Sequence, residues 1–144
     1  MLTCFADTSF WLALSNKRDE HHAQAVAWSR YLAKTAARIL TTEAVLWEWM
    51  NALSISNTRG LAVAAYRRCH SDPHIEVVPF SAGLIASAVQ LYEDRRDKDW
   101  SLTDCFSFIV MQQWRVLQSL TVDHHFEQAG FEAVLVRECP SAEN

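Results

Sequence analysis

The chain has 144 residues, with 17 Asp and Glu against 13 Lys and Arg, a net charge of -4 and half of its residues apolar. That balance is globular rather than disordered, and the length suits one core. An acidic chain does not coat nucleic acid through a general basic surface, since that mode needs many phosphate contacts from Lys and Arg. Its longest apolar runs, such as Phe108 to Met111, are far short of the roughly 20 residues of a membrane span, so no membrane partner is expected.

The N-terminal stretch is apolar but lacks a basic region and carries Asp7, so no signal peptide is expected and the cytoplasm is the expected compartment. Leu2 to Ala6 reads as a strand, and Asp7, Thr8 and Ser9 read as the start of a helix over Phe10 to Ser15. From Asp19 to Ala37, the apolar residues Ala23, Val26, Ala27, Tyr31 and Leu32 recur at helical spacing. Arg38 to Leu40 gives a second strand, followed by a long helix from Glu43 to about Ser56 and another from Gly60 to Cys69.

Ile75 to Phe80 is the third strand, and Ala82 to about Arg95 the next helix. Glu93 to Asp99 reads as a polar loop. Ser101 opens a helix reaching about Val116, Gln118 to Val122 forms the fourth strand and Glu132 to Val136 the fifth. Residues 1–139 are thus expected to form one domain, with a flexible tail at 140–144. The four cysteines show no C-x-x-C pair and read as reduced structural thiols.

Strands alternating with helices predict a mostly parallel four- or five-stranded sheet in a three-layer α/β/α sandwich. Ligands bind such sheets beyond the carboxyl ends of the strands, where Asp7 and Asp123 fall. Each acid also has an ordinary reading. Asp7 and Asp123 could cap helices, and Asp104 follows Ser101 in a Ser-x-x-Asp capping box. Glu48 shares a helical face with Ala44, Val45, Ala52 and Ile55 between Trp47 and Trp49, which predicts a carboxylate that is costly to bury. Brought together, several carboxylates repel unless a hard divalent cation holds them, and all-oxygen ligation favours Mg2+ or Mn2+. The matching chemistry is phosphate ester hydrolysis. The adjacent His124 and His125 are expected to diverge on a regular element, which disfavours zinc.

Four segments together resemble the PIN-domain ribonucleases, and within them the VapC-like toxins of toxin-antitoxin pairs. These are FADTS at Phe5 to Ser9, LTTEAVLWE at Leu40 to Glu48, DWSLTDC at Asp99 to Cys105, and LTVDHHF at Leu120 to Phe126 with Ala129 to Phe131 beyond it. The resemblance implies a PIN-like fold and a Mg2+- or Mn2+-dependent endoribonuclease, with Asp7, Glu48, Asp104 and Asp123 as catalytic and metal-binding acids. It assigns supporting places to Ser9, Thr121 and Asp99, with Glu43 as a rival to Glu48 on spacing. It also implies an RNA substrate, a cognate antitoxin protein and a homodimer. RNA phosphates would then meet local clusters such as Arg67 with Arg68, or Arg95, Arg96 and Lys98, and Trp47, Trp49 and Trp100 are candidates for base stacking. The alternative from another class is a PIN-like module that binds RNA or protein without cutting.

Overall fold

In a computed structural model of the chain, residues 2–140 are described; most of the predicted tail, residues 141–144, lies outside them. The elements run β1 (Thr3–Ala6), α1 (Thr8–Ser15), α2 (His22–Lys34), β2 (Arg38–Thr42), α3 (Glu43–Ala52) and α4 (Ser56–Ser71). They continue β3 (Ile75–Val78), α5 (Ala82–Asp94), α6 (Leu102–Trp114), β4 (Gln118–Leu120), α7 (His124–Gln128) and β5 (Glu132–Ala133). The five strands pair in the order β3-β2-β1-β4-β5, and every pairing is parallel. The expected α/β/α sandwich is therefore present, with an entirely parallel sheet.

This order places the reversal of strand sequence between β1 and β4. Right-handed crossovers then put α1 to α4 on one face and α5 to α7 on the other. The crevice at the carboxyl ends of β1 and β4 is where such sheets bind ligands. Both faces being covered explains why Cys4, Phe5 and Ala6 are all buried rather than alternating. On one side Trp11 stacks on Trp49 at 5.7 Å between ring centroids, and on the other Phe108 packs edge-on to Phe126 and Trp100 at 5.0 Å.

Several boundaries differ from expectation, for local reasons. The long helix predicted from Glu43 ends at Ala52, because the Ser54 hydroxyl donates to the Met50 and Asn51 carbonyls and Ile55 is extended. The following helix starts at Ser56, ahead of the predicted Gly60, so that glycine is interior. In α2 the buried residues are Ala25, Trp28 and Leu32, whereas the predicted Ala23 is exposed. The fourth and fifth strands are shorter than predicted, at three and two residues.

Burial pushes the Cys4, Cys69 and Cys105 thiols up to about 11, so all three stay protonated and unreactive near neutral pH. No helix among the described residues is long and apolar enough to cross a membrane.

Candidate metal centre

Asp7 leaves β1 at the helix N-cap position, yet its side chain makes no cap hydrogen bond. Its backbone carbonyl accepts from Phe10 and Trp11 instead, which frees the carboxylate for other work. Asp7 Oδ2 accepts from the Thr121 hydroxyl at 2.8 Å and the Ser9 hydroxyl at 3.3 Å. Thr121 Oγ1 in turn accepts from Asp123 N, and Ser9 Oγ accepts from Val122 N. Two hydroxyls thus lock the end of β1 to the end of β4 and fix the first acid against the fourth. Ser9 and Thr121, predicted as supporting residues, both lie at this junction.

Asp104 forms the predicted capping box with Ser101: its backbone N–H donates to Ser101 Oγ and its Oδ2 accepts from Ser101 N at 3.1 Å. The same Oδ2 lies 3.0 Å from His125 Nδ1. Asp123 caps α7 through Oδ1, which accepts from His125 N at 2.9 Å. In Asp104 and Asp123 these hydrogen bonds gather on one oxygen, and in Asp7 the side-chain bonds do the same. The second oxygen of Asp104 and of Asp123 accepts no hydrogen bond among the described residues.

The electrostatics follow from burial. Asp7 is 5% exposed, and desolvation raises its pKa from 3.8 to about 7. The charges of Asp104 and Glu48 push the same way, while hydrogen bonds from Thr121 and the Thr8 backbone oppose them. Burial also raises the pKa of Asp104, against the Ser101 and His125 hydrogen bonds, and the charge of Asp123 adds to the rise. Among the described residues no Lys or Arg pairs with Asp7, Asp104 or Asp123; the ion pairs that form are to His124 and His125. Buried or half-buried carboxylates that repel one another and have no Lys or Arg partner are a donor set that fits a hard divalent cation.

Glu48 departs from its predicted environment. The buried positions of α3 are Val45, Leu46 and Trp49, so Glu48 falls one step off the core face and is exposed, as are Ala52 and Ile55. It lines a groove of about 370 Å³ with Ala44, Trp47, Phe80, Thr103 and Phe106. Its charge is the smallest of the influences that raise the pKa of Asp7.

Glu43 is engaged elsewhere, accepting from Tyr66 Oη at 3.0 Å and lying 2.7 Å from His70 Nε2, which ties α3 to α4. Asp99 is exposed. Of the Trp candidates, Trp49 and Trp100 are buried and their indole N–H groups donate to Ser15 and Gln128, while Trp47 is 59% exposed. In the second basic cluster, Arg95 and Lys98 pair with Asp97 and Arg96 with Glu93; Arg67 and Arg68 lie exposed on α4.

The sequence drew attention to His124 and His125 as a pair at a helix start but gave His125 no tie to Asp104, a contact between segments 21 residues apart. The two histidines also diverge less than expected: one ligand atom each from Asp123, His124 and His125 lies within 4.8 Å of the others. His124 is exposed and holds Asp123 Oδ1 only at 3.7 Å, so this trio is loosely built beside the carboxylate cluster.

Fold and site together define an α/β/α domain with a group of acids at the switch point of its parallel sheet. Residues 4–132 match the PIN domain family, and the chain belongs to it. It is 30% identical over 131 residues to the 23S rRNA-specific endonuclease VapC20 of Mycobacterium tuberculosis, covering 90% of this chain and 96% of that protein. The crystal structure of that Sarcin-Ricin loop cleaving toxin superposes with a TM-score of 0.79 at 29% identity, over 91% of this chain and 98% of the other. The structure of FitAcB from Neisseria gonorrhoeae shares the fold, with a TM-score of 0.65 at 14% identity over 90% of this chain and 95% of that one.

Proposed function

We propose that residues 1–139 are a single nuclease domain, a metal-dependent endoribonuclease acting as the toxin of a toxin-antitoxin pair. The observation that carries the reading is the group of Asp7, Asp104 and Asp123, fixed by hydroxyl, backbone and imidazole donors and paired with no Lys or Arg among the described residues. Glu48 joins them from the rim. All-oxygen ligation makes Mg2+ or Mn2+ the cofactor, and such an ion, when bound, supplies an activated water and offsets charge on the phosphoryl group.

The chain's own residues hold the pocket for that chemistry. Ser9 and Thr121 aim Asp7, the capping box aims Asp104, and the α7 cap aims Asp123. Burial holds the Asp7 pKa near 7 without a metal, so a cation bound there would displace the proton and bind more tightly as the pH rises. Exposed Trp47 borders the groove beside Glu48, where an unpaired base could stack. Asp99, exposed, stays a candidate outer ligand.

Purified protein with Mg2+ or Mn2+ is expected to cut RNA, leaving a 5′-phosphate and a 3′-hydroxyl. The relative's named target makes 23S ribosomal RNA the first substrate to try. Mn2+ binding and RNA binding without any cut product would favour the non-cleaving module. The named toxin relative supports an antitoxin protein as partner and the cytoplasm, where its RNA target lies, as the compartment.

Homodimerisation is supported by an exposed apolar strip on α5, where Ile85, Val89 and Tyr92 recur at helical spacing. Sedimentation of the chain alone is expected to give twice the 16.4 kDa monomer mass. A monomer at tens of micromolar would refute it.

A further inference from the structure

We infer that His125 is a positioning residue that sets the separation of Asp104 and Asp123 and thereby the affinity of the pocket for a divalent cation; this rests on the metal-dependent reading above. Asp104 belongs to α6, whereas Asp123 follows β4, and their backbones are joined by no strand or helix pairing. His125 spans the gap with two donors. Its backbone N–H donates to Asp123 Oδ1 at 2.9 Å, and its Nδ1 lies 3.0 Å from Asp104 Oδ2 and 3.4 Å from Asp123 Oδ1.

Ionised carboxylate oxygens only accept, so Nδ1 carries the proton that both acids share. Two anions side by side repel, and in the metal-free chain nothing but this N–H lies between them among the described ion pairs. The side chain is largely buried, at 18% exposure, so its rotamer is held by packing as well as by hydrogen bonds. The engaged oxygens face the imidazole, and Asp104 Oδ1 and Asp123 Oδ2 keep the ligand role. Donors of this kind behind ligating groups typically contribute a factor of about 10 to 100 in metal affinity.

The geometry distinguishes Nδ1 from Nε2. An Asn side chain places its amide N–H where the Nδ1–H of His lies, whereas Ala supplies no donor. Mn2+ binding measured by calorimetry on the full chain is therefore expected to weaken about 10-fold or more in His125→Ala and to return to within about 3-fold of the unaltered protein in His125→Asn.

Melting of the metal-free proteins is recorded alongside, so that a loss of fold in the Ala variant is seen as such and the Asn variant carries the comparison. Unchanged Mn2+ affinity in a folded His125→Ala protein would overturn the positioning role, as would a folded His125→Asn protein that binds ten times more weakly. Absence of Mn2+ binding by the unaltered chain would instead remove the metal-dependent reading together with this one.

Discussion

Asp104→Asn is expected to lower Mg2+- or Mn2+-dependent RNA cleavage by at least about 100-fold, some 3 kcal/mol of transition-state stabilisation, with little change in melting temperature. The separation of the two effects follows from how the side chain is used. Its Oδ2 accepts from Ser101 N and His125 Nδ1, and an amide oxygen can accept from both. The capping box and the tie to α7 therefore survive the substitution. The amide nitrogen then replaces Oδ1, so the pocket presents a hydrogen-bond donor where a cation needs an acceptor. Cleavage assays and thermal melts of the same preparations read the two quantities. Full cleavage by a folded Asp104→Asn protein would remove the proposed mechanism.

Asp7→Asn is expected to stabilise the metal-free protein at pH 8 while abolishing cleavage. The Asp7 carboxyl titrates at about 7 in the folded chain against 3.8 as its ordinary value, so the folded state holds this proton more tightly than the unfolded one. Its contribution to stability is fully present below pH 3.8 and is lost as the pH rises through about 7.

The Asn variant carries no charge to bury and can keep the Thr121 and Ser9 hydrogen bonds. Its advantage over the unaltered chain is therefore near zero at pH 4 and grows to roughly 2 to 4 kcal/mol at pH 8 in the presence of a chelator. Mn2+ reverses the order, because it binds and stabilises the native carboxylate cluster and not the variant. Urea unfolding at several pH values checks this. A variant less stable than the unaltered protein at pH 8 without metal would show that the buried charge has a partner that the geometry does not reveal.

Asp7, alone of the three acids, does not cap a helix with its side chain, and burial raises its pKa to about 7. Asp104 and Asp123 do cap, each through one oxygen, which leaves the other oxygen of the carboxylate for the proposed metal role. The cap readings were thus sound for two acids and failed for the most buried one.

Much of the architecture was legible because periodicity and turn chemistry are local. The alternation of apolar runs with amphipathic stretches gave the elements in order, and Asp7 and Asp123 stand directly after β1 and β4 in the chain. Parallel pairing then brings two strand ends to one edge, so the sequence alone determined the sandwich and the meeting of these two acids. Ser101-x-x-Asp104 was equally readable, since a capping box spans four residues.

Only the tertiary structure decided the rest, because it depends on rotations and on contacts between distant segments. A helix turns 100° per residue, so a one-step error in the buried face moved Glu48 from core to rim. Glu43 meets Tyr66 and His70 on the next helix, contacts that its spacing does not foretell. Beside the local caps, two donors come from distant segments: Thr121 reaches Asp7 over 114 residues and His125 reaches Asp104 over 21. A sequence names the acids at the strand ends, but which oxygen of each stays free for a metal is set by partners that meet only when the chain has folded.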